Sequence, residues 1–436
     1  MTAYVPLGEA SAVAAPARRS TMIVAIAVLT LNLLVGAALR LVFAPVQEMA
    51  KADLHLTDTQ LGLIQGIAGA LPIALLSLPL GRLTDRANRV RLLAGITLVS
   101  IVGTALAGLA SGFALLFLGR MLGVLAGFCA LPVAISIAAD LVAPQVRGRA
   151  MVFLQLGLII GSAMAFAVAG KLAGLTAAAL PFAGLAPWRQ AQILFAGASL
   201  VSMASFLLLR EPARHEIAET VNIPLREAFA EIGQRARFIV PLYMGQVTVV
   251  MADMAASVWA APVLTRDYHL RPDQFGGWMG LVILLSGILG AVLGGLAADL
   301  GQKGRLRGGM LAAAILAAAL SIPAAFFAVM PGATGFAWML GLLLTCGGVT
   351  GLVTATALSV YIPNEVRGFC LGLFIVVGAV GGLGIAPSLV PWVSVLLGGE
   401  GRIGFALALV SVATSVAALA GFLFAIRHQP ELPKAG

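Results

Sequence analysis

The chain has 436 residues, of which 60% are hydrophobic and only 10% are charged, and its formal net charge is +9. Soluble proteins are about 45–50% apolar and about 25% charged, so this composition excludes a soluble globular protein and indicates an integral membrane protein. In a soluble protein the positive charge would suggest a nucleic-acid partner. In a membrane protein basic cytoplasmic loops explain it, so we expect no nucleic acid and a lipid bilayer as the surroundings.

The first apolar run extends from Met22 to about Val46 and follows Arg18 and Arg19. It is longer than the ~7–15-residue core of a cleavable signal peptide, so it predicts a first membrane helix. Eleven further runs reach the length of about 20 residues that a spanning helix needs. The sequence therefore predicts an all-α membrane protein with twelve transmembrane helices.

The basic residues predict the orientation of these helices. With the N-terminus inside, 19 of the 27 Lys and Arg residues fall in cytoplasmic segments, 6 fall outside and 2 lie within spans. Lys and Arg in short loops mark the cytoplasmic side. We expect both termini to be cytoplasmic, in a multi-pass protein of the cell (inner) membrane.

The sequence also contains an internal repeat. Residues 53–62 match residues 267–276 at an offset of 214, and Gly66, Gly81 and Asp85 meet Gly280, Gly295 and Asp299 at the same offset. This repeat predicts two similar six-helix bundles related by an axis along the membrane normal. The predicted organisation is a cytoplasmic tail (1–20), an N-terminal bundle (21–209), a cytoplasmic linker (210–236), a C-terminal bundle (237–427) and a second tail (428–436).

The link between the second and third helices concentrates charge in a chain that has little. It reads Gly-Arg-Leu-Thr-Asp-Arg-Ala-Asn-Arg-Val-Arg over residues 81–91. This pattern resembles the loop signature of the major facilitator superfamily of transporters. Asn88-Arg89, the run at 53–63 and Arg147-Gly148-Arg149-Ala150 resemble the bacterial spinster-like branch of that superfamily.

The resemblance implies a secondary transporter that works by alternating access, with helices 1, 4, 7 and 10 around a central cavity. It also implies a cytoplasmic gate whose charges latch the two halves when the carrier is open to the outside. The residues expected in this gate are Gly81, Asp85, Arg86, Arg89, Asp140 and Arg147.

Two acidic positions of the spinster pattern are not acidic in this chain. The helix 1 Asp-Arg pair falls on Leu39-Arg40, and the helix 4 Glu falls on Gly127. In the family these acids would carry protons. The sequence therefore leaves open whether transport is coupled to protons.

Three charged residues remain within the spans, namely Arg40, Arg120 and Asp253. Such residues usually face a cavity or a partner, because a charge is costly in lipid. The arginines are interpreted as ligands of an anionic substrate, or alternatively as side chains that reach the membrane interface. Asp253 corresponds to position 39 in the repeat, and we expect it to supply the cavity carboxylate and to pair with Arg40 or Arg120. The alternative for Asp253 is a static ion pair.

The spans lack the residue combinations of enzymes and of metal sites. The three cysteines, Cys129, Cys346 and Cys370, lie singly in apolar runs, and the four histidines form no ligand cluster. No phosphate-binding loop is present. We expect no enzymatic activity, no cofactor and no metal, and we expect a monomer.

The predicted function is transport of a small organic or amphipathic anion, with or without proton coupling. The alternative is an uncoupled facilitator or a transporter-fold sensor that has lost the proton-carrying acids. Substrate identity and the direction of transport stay open at this point.

Overall fold

The computed structural model describes residues 19–143, 146–175, 181–182, 184–213, 232–303, 309–362, 370, 372–374 and 376–430. Twelve helices in this part of the chain are long and apolar enough to cross a membrane, which confirms the predicted fold class. Most of the predicted linker and both predicted tails lie outside the described residues.

The helices of the first half are α1 (Arg19–Leu41, then Gln47–Leu54), α2 (Asp58–Gln65, then Ile67–Arg86), α3 (Arg89–Gly108), α4 (Phe113–Gly123, then Leu125–Leu141), α5 (Arg147–Ala173) and α6 (Pro187–Ser205). Those of the second half are α7 (Ala236–Arg266), α8 (Pro272–Gln302), α9 (Leu311–Ala324), α10 (Ala333–Tyr361), α11 (Gly372–Leu396) and α12 (Ile403–Arg427).

The sequence repeat is visible in the local structure. His55 and His269 are the only non-glycine residues with positive φ in the described chain, at 52° and 55°. His55 is the C-cap of the second segment of α1, and His269 lies in the turn that follows α7. Histidine is among the residues that enter the left-handed region most readily. The next helix is then capped in both halves, because the side chains of Gln60 and Gln274 accept from the amides of Thr57 and Arg271.

The two halves pack together through glycines that the repeat places at matching positions. A Cβ at Gly62 would lie 3.0 Å from the carbonyl oxygen of Pro387 in α11, and one at Gly66 would lie 2.8 Å from that of Leu383. The counterparts are Gly276 and Gly280 in α8, where a Cβ would lie 2.6 Å from the carbonyl oxygens of Phe166 and Ala163 in α5. These glycines let backbones approach across the interface, as small residues do in membrane helices.

Three helices of the first half are interrupted, and the interruption of α2 is at Gly66. α1 is interrupted after Leu41 by a turn that contains the 3-10 segment Ala44–Val46, and Pro45 lies within it. α4 is interrupted at Val124. The interruption of α1 leaves carbonyl groups at the end of its first segment without helical partners, and this exposes acceptors at the depth of the predicted cavity.

Candidate functional site

A small cavity lies between the two halves and has two arginines in its wall. It has a volume of about 60 Å³ and is lined by Arg40, Leu41, Ala44, Gln65, Gly69, Arg120, Val124, Phe128, Met254, Ser257, Val258, Leu383 and Pro387. These residues come from α1, α2, α4, α7 and α11. The lining carries two positive charges and no carboxylate. Its volume suits a carboxylate or a similar head group rather than a whole large solute.

Arg120 has partners that fix its orientation. Its Nη2 donates to the carbonyl oxygen of Arg40 at 2.7 Å and to Oε1 of Gln65 at 3.1 Å, and its Nη1 donates to the carbonyl oxygen of Leu39 at 3.3 Å. The two carbonyls belong to the last turn of the first segment of α1, so Arg120 caps this helix end. Its guanidinium also lies over the ring of Phe43.

Arg40 is less constrained than Arg120. Within the described residues its guanidinium donates no hydrogen bond and makes no ion pair, and its Nε is buried without a partner. It lies 4.9 Å from the ring centre of Phe128, a contact that orients a cation without neutralising it. Arg40 is partly buried, and a guanidinium with free donors in such a place is a site at which an anion would gain hydrogen bonds.

Asp253 does not meet either arginine in this conformation. The described residues contain no ion pair between Asp253 and Arg40 or Arg120, so the predicted pairing is absent here. The carboxylate instead faces α10, where a Cβ at Gly347 would lie 1.9 Å from its Oδ2. Its Oδ1 is buried without a hydrogen-bond partner. The neighbours Met254 and Ser257 line the cavity, so the α7 backbone reaches the cavity although this carboxylate points away from it.

A cluster of five charged residues ties the halves together at the end that the charge count predicts to face outside. We call it the outer latch, and its members are Glu48, Lys51, Asp58, Arg266 and Glu400. Arg266 of α7 bonds Asp58 at 2.6 Å and Glu48 at 2.7 Å. Lys51 bridges Asp58 and Glu400, with both distances 2.6 Å. The Asp58 side chain is only 2% exposed, so a buried carboxylate is at the centre of these contacts.

Below the outer latch, a line of amide side chains continues to the cavity. Nε2 of Gln65 donates to Oε1 of Gln47 at 3.2 Å, and Nε2 of Gln47 donates to the carbonyl oxygen of Val258 in α7 at 2.6 Å. Gln47 is fully buried. Because Arg120 bonds Gln65, a hydrogen-bonded chain leads from the cavity to the second half of the protein.

Three residues of the predicted cytoplasmic gate, Arg89, Asp140 and Arg147, form contacts within the first half. Arg89 forms ion pairs with Asp140 of α4 and, at 2.8 Å, with Glu211 beyond α6. Nη2 of Arg147 donates to the carbonyl oxygen of Ala139 at 2.8 Å. These contacts join α3, α4, α5 and the start of the predicted linker. Whether they also latch the halves in another state stays a prediction.

The remaining residues of the predicted gate are Gly81, Asp85 and Arg86. The backbone of Asp85 is helical, but its side chain lies outside the described part of the chain. Arg86 and Gly81 are exposed. No described residue lies within 4 Å of the position that a Cβ would take at Gly81, so the described part of the chain shows no close packing at this glycine.

A second, larger space opens toward the membrane. It is an apolar groove of about 730 Å³ between α2 and α11, with Ala70, Leu71, Val380, Gly384 and Trp392 among its lining residues. The neighbouring residues Gly69 and Leu383 line the cavity. One layer of α2 and α11 backbone therefore separates the apolar groove from the two arginines.

The sequence did not predict the outer latch or the pair of glutamines that connects it to the cavity. One signal was present, because few basic residues fall on the predicted outer side and two of them, Lys51 and Arg266, lie within reach of acids at helix ends. Gln65 is a polar residue within a span. Its bond to Arg120 depends on how α2 and α4 pack, which the sequence does not specify.

Comparison with known proteins agrees with this architecture. The profile of the Major Facilitator Superfamily matches residues 27–387. A sequence comparison with functionally curated proteins finds no significant match. Among solved structures, a bacterial homologue of the human lysosomal transporter Spinster, in an inward-facing and unoccupied conformation, is similar with a TM-score of 0.75 and 20% identity, over 94% of this chain and 96% of that one.

Two further solved structures have the same fold. A D-xylose–proton symporter matches with a TM-score of 0.67 and 17% identity, over 91% of this chain and 97% of that chain. The xylose transporter XylE from E. coli, in an inward-open conformation, matches with a TM-score of 0.65 and 15% identity, over 91% of this chain and 95% of that one. At these identities the likeness concerns the fold.

Proposed function

The chain belongs to the major facilitator superfamily, and on that premise we propose that it is a secondary transporter for an anion whose charged group binds Arg40 and Arg120. The superfamily consists of membrane transporters for small molecules rather than enzymes. The observation that carries the proposal is the lining of the cavity, in which the buried Arg120 and the partly buried Arg40 meet no carboxylate among the described residues. A charge enclosed by protein is expensive unless it is paired, so the cavity favours an anionic guest.

The two arginines have different roles in this proposal. Arg120 already donates three hydrogen bonds within the protein, and two of these hold the end of a helix. Arg40 has free donors and is the main ligand. The planar guanidinium matches two oxygens of a carboxylate or phosphate, whereas a lysine at this place would offer a point charge only.

Ligand-induced stabilisation of the purified protein tests the proposal. We would measure thermal unfolding in detergent with succinate, glycerol 3-phosphate and a lysophospholipid, for wild type and for Arg40→Ala. A stabilising anion should lose at least tenfold in affinity in the variant, because a charge-assisted pair is removed. Arg271→Ala, which changes an exposed arginine far from the cavity, is the matched control. An anion that binds Arg40→Ala and wild type equally would reject the proposed site.

The apolar groove favours an amphipathic anion as a second candidate. It lies one helix layer from the arginines and is large enough for an alkyl chain. Stabilisation by the lysophospholipid but not by succinate or glycerol 3-phosphate would support this candidate. Stabilisation by the small anions alone would favour a small organic substrate.

We further propose that Asp253 carries the proton if transport is coupled to one. Its Oδ1 is buried and has no partner, and Gly347 leaves room for the carboxyl group on α10. An unpaired carboxylate in such a place is costly when ionised, so a change in its surroundings would shift its proton occupancy. Substrate counterflow in proteoliposomes should survive in Asp253→Asn, while uptake driven by a proton gradient should be lost. Gradient-driven uptake that Asp253→Asn retains would reject Asp253 as the proton carrier, and wild-type protein that a proton gradient does not drive would favour the uncoupled facilitator.

A further inference from the structure

The glutamine pair between the cavity and the outer end connects groups that belong to different halves of the protein. From the cavity outward the donors and acceptors are Nη2 of Arg120, the amide of Gln65, the amide of Gln47 and the carbonyl oxygen of Val258, at 3.1, 3.2 and 2.6 Å. Arg120, Gln65 and Gln47 belong to the first half, and Val258 belongs to α7 of the second. We call Gln65 and Gln47 the glutamine relay.

The sequence of α7 explains why the relay ends at Val258. In an α-helix the carbonyl of residue 258 would accept from the amide of residue 262, but Pro262 has no N–H. The Val258 carbonyl is therefore left without its helical partner, and Val258 is a buried residue. Nε2 of Gln47 supplies the missing hydrogen bond across the interface between the halves.

A second carbonyl freed by a proline shows the same arrangement next to the first. The carbonyl of Pro387 in α11 cannot bond to residue 391, because Pro391 also lacks an N–H. The indole Nε1 of Trp259 donates to this carbonyl at 2.8 Å. Neighbouring residues of α7 thus fasten it to α1 through Val258 and to α11 through Trp259. Of these two bonds, the one from Gln47 to Val258 joins the two halves, so it depends on the position of one half relative to the other.

The cavity end of the relay depends on how Arg120 uses its donors. Nη2 of Arg120 is shared between the carbonyl of Arg40 and Oε1 of Gln65, while Nε has no partner. An anion that approached the guanidinium would form charge-assisted bonds, which are stronger than the bond to a neutral amide. It would therefore compete with Gln65 for Nη2 and weaken the first link of the relay.

We propose that Gln65 and Gln47 are positioning residues that transmit the occupancy of Arg120 to the closure of the outer end. With the cavity empty, the relay is complete and holds α7 against α1. When an anion binds Arg120, Gln65 loses its partner, the bond from Gln47 to Val258 weakens and the outer end opens more readily. The role of the anion rests on the proposed function, whereas the mechanical link between Arg120 and Val258 does not.

Opening of the outer end can be measured without any substrate. Ala44 lines the cavity and is buried beneath the outer latch, and the three native cysteines are buried. In right-side-out vesicles, an Ala44→Cys protein should react with a membrane-impermeant maleimide only when the outer end opens. The labelling rate then reports the population of the outward-open state.

The strongest test combines a substitution of Gln47 with a substitution of Pro262. Gln47→Leu leaves the Val258 carbonyl unsatisfied in the closed state, and we expect labelling to rise about tenfold. Adding Pro262→Ala restores the helical amide of residue 262 and should bring the rate back to within about twofold of the parent protein. Gln246→Leu is the matched control, since Gln246 is equally buried but bonds Thr354 within the second half. Its labelling should not change.

The link to the cavity is tested with a double-mutant cycle. Gln65→Leu and Arg120→Met should each raise the labelling rate, and the combination should raise it no further than either alone, because both break one pathway. Arg120→Met also uncaps α1; if it fails to fold, Gln65→Leu with Gln47→Leu provides the same non-additivity test. Additive effects on the labelling rate would overturn the proposal. So would a failure of Pro262→Ala to bring the labelling rate of Gln47→Leu back toward that of the parent protein. Failure of every anion to bind would reject the proposed substrate class and leave these ligand-free results unaffected.

Discussion

The repeat relates two interfaces between the halves. One is formed by α5 and α8, the other by α2 with α7 and α11, and they use different interactions. Both contain a pair of glycines four residues apart, Gly62 with Gly66 and Gly276 with Gly280, and both let backbones touch. The difference lies at the position where the helix begins. The counterpart of Asp58 in α2 is Pro272 in α8, and the acid beside it, Asp273, is 22% exposed and forms its ion pair with Arg271 of the same half. Asp58 is instead 2% exposed and pairs with Arg266 across the halves.

This difference assigns separate tasks to the two interfaces. Backbone contacts between glycines tolerate small rotations but lose much when a side chain is inserted. Ion pairs around a buried carboxylate hold one arrangement and are lost when the partners separate. We infer that α5 and α8 act as the pivot between the halves, and that the outer latch beside α2 opens and closes. The following predictions test this division, beginning with the largest expected effect.

Removal of the central arginine of the outer latch should have the largest consequence. Arg266→Met leaves the carboxylates of Asp58 and Glu48 without the guanidinium that pairs them. The loss of one partner of a largely buried pair costs about 3 kcal/mol, so the outer end should open strongly. Maleimide labelling of Ala44→Cys would report this as a rise of more than tenfold.

Two further variants identify the cause of that opening. Combining Arg266→Met with Asp58→Asn removes the stranded charge and should recover part of the closure. Arg271→Met changes an arginine that is 71% exposed and pairs with Asp273 of the same half, and it should leave labelling unchanged. Equal effects of Arg266→Met and Arg271→Met would show that the outer latch does not hold the halves together.

A methyl group added within the pivot should lower the stability of the protein, whereas one added beside the pivot should not. A Cβ at Gly276 would lie 2.6 Å from the carbonyl oxygen of Phe166, whereas nothing lies within 4 Å of a Cβ at Gly277. Gly276→Ala should therefore destabilise the protein by about 2 kcal/mol. Gly277→Ala should be neutral or slightly stabilising, because alanine favours the helix. Thermal unfolding in detergent compares the two, and similar midpoints would contradict a tightly packed pivot.

The smallest effect is expected at the rim of the outer latch. Glu400 is 46% exposed and pairs with Lys51, and exposed ion pairs contribute about 0.2–1 kcal/mol. Glu400→Gln should raise the labelling of Ala44→Cys by no more than about fivefold. Because salt screens exposed charges, the difference from the parent protein should shrink further at 1 M salt, where the Debye length is about 3 Å. A rise as large as that of Arg266→Met would assign the centre of the latch to Glu400 instead.

Much of the fold was predictable because its signals are local. Apolar runs of about 20 residues predict membrane helices, and the structure confirms twelve of them. The repeat predicted related structure at His55 and His269, and both occupy the same unusual backbone conformation. The interruptions of α1 and α4 were not predicted, because a short turn inside an apolar run changes the composition very little.

The candidate site was predictable only in part. Charge within a span drew attention to Arg40 and Arg120, and both line the cavity. The predicted pairing of Asp253 with an arginine is absent from this conformation, because the carboxylate turns toward the space that Gly347 leaves on α10. The side chain at one position of a helix can point to the cavity or to a neighbouring helix, and the sequence of that helix does not decide between them.

The sequence by itself determined that this protein lies in a membrane, that it has twelve helices in a two-fold repeat and that two arginines remain in its interior. These features depend on composition and spacing along one chain. The tertiary structure alone decided which groups bond across the halves, such as Arg266 with Asp58 and Gln47 with Val258. Those partners are more than 200 residues apart, and they meet only because glycines and prolines set how closely the helices approach and which carbonyls stay free.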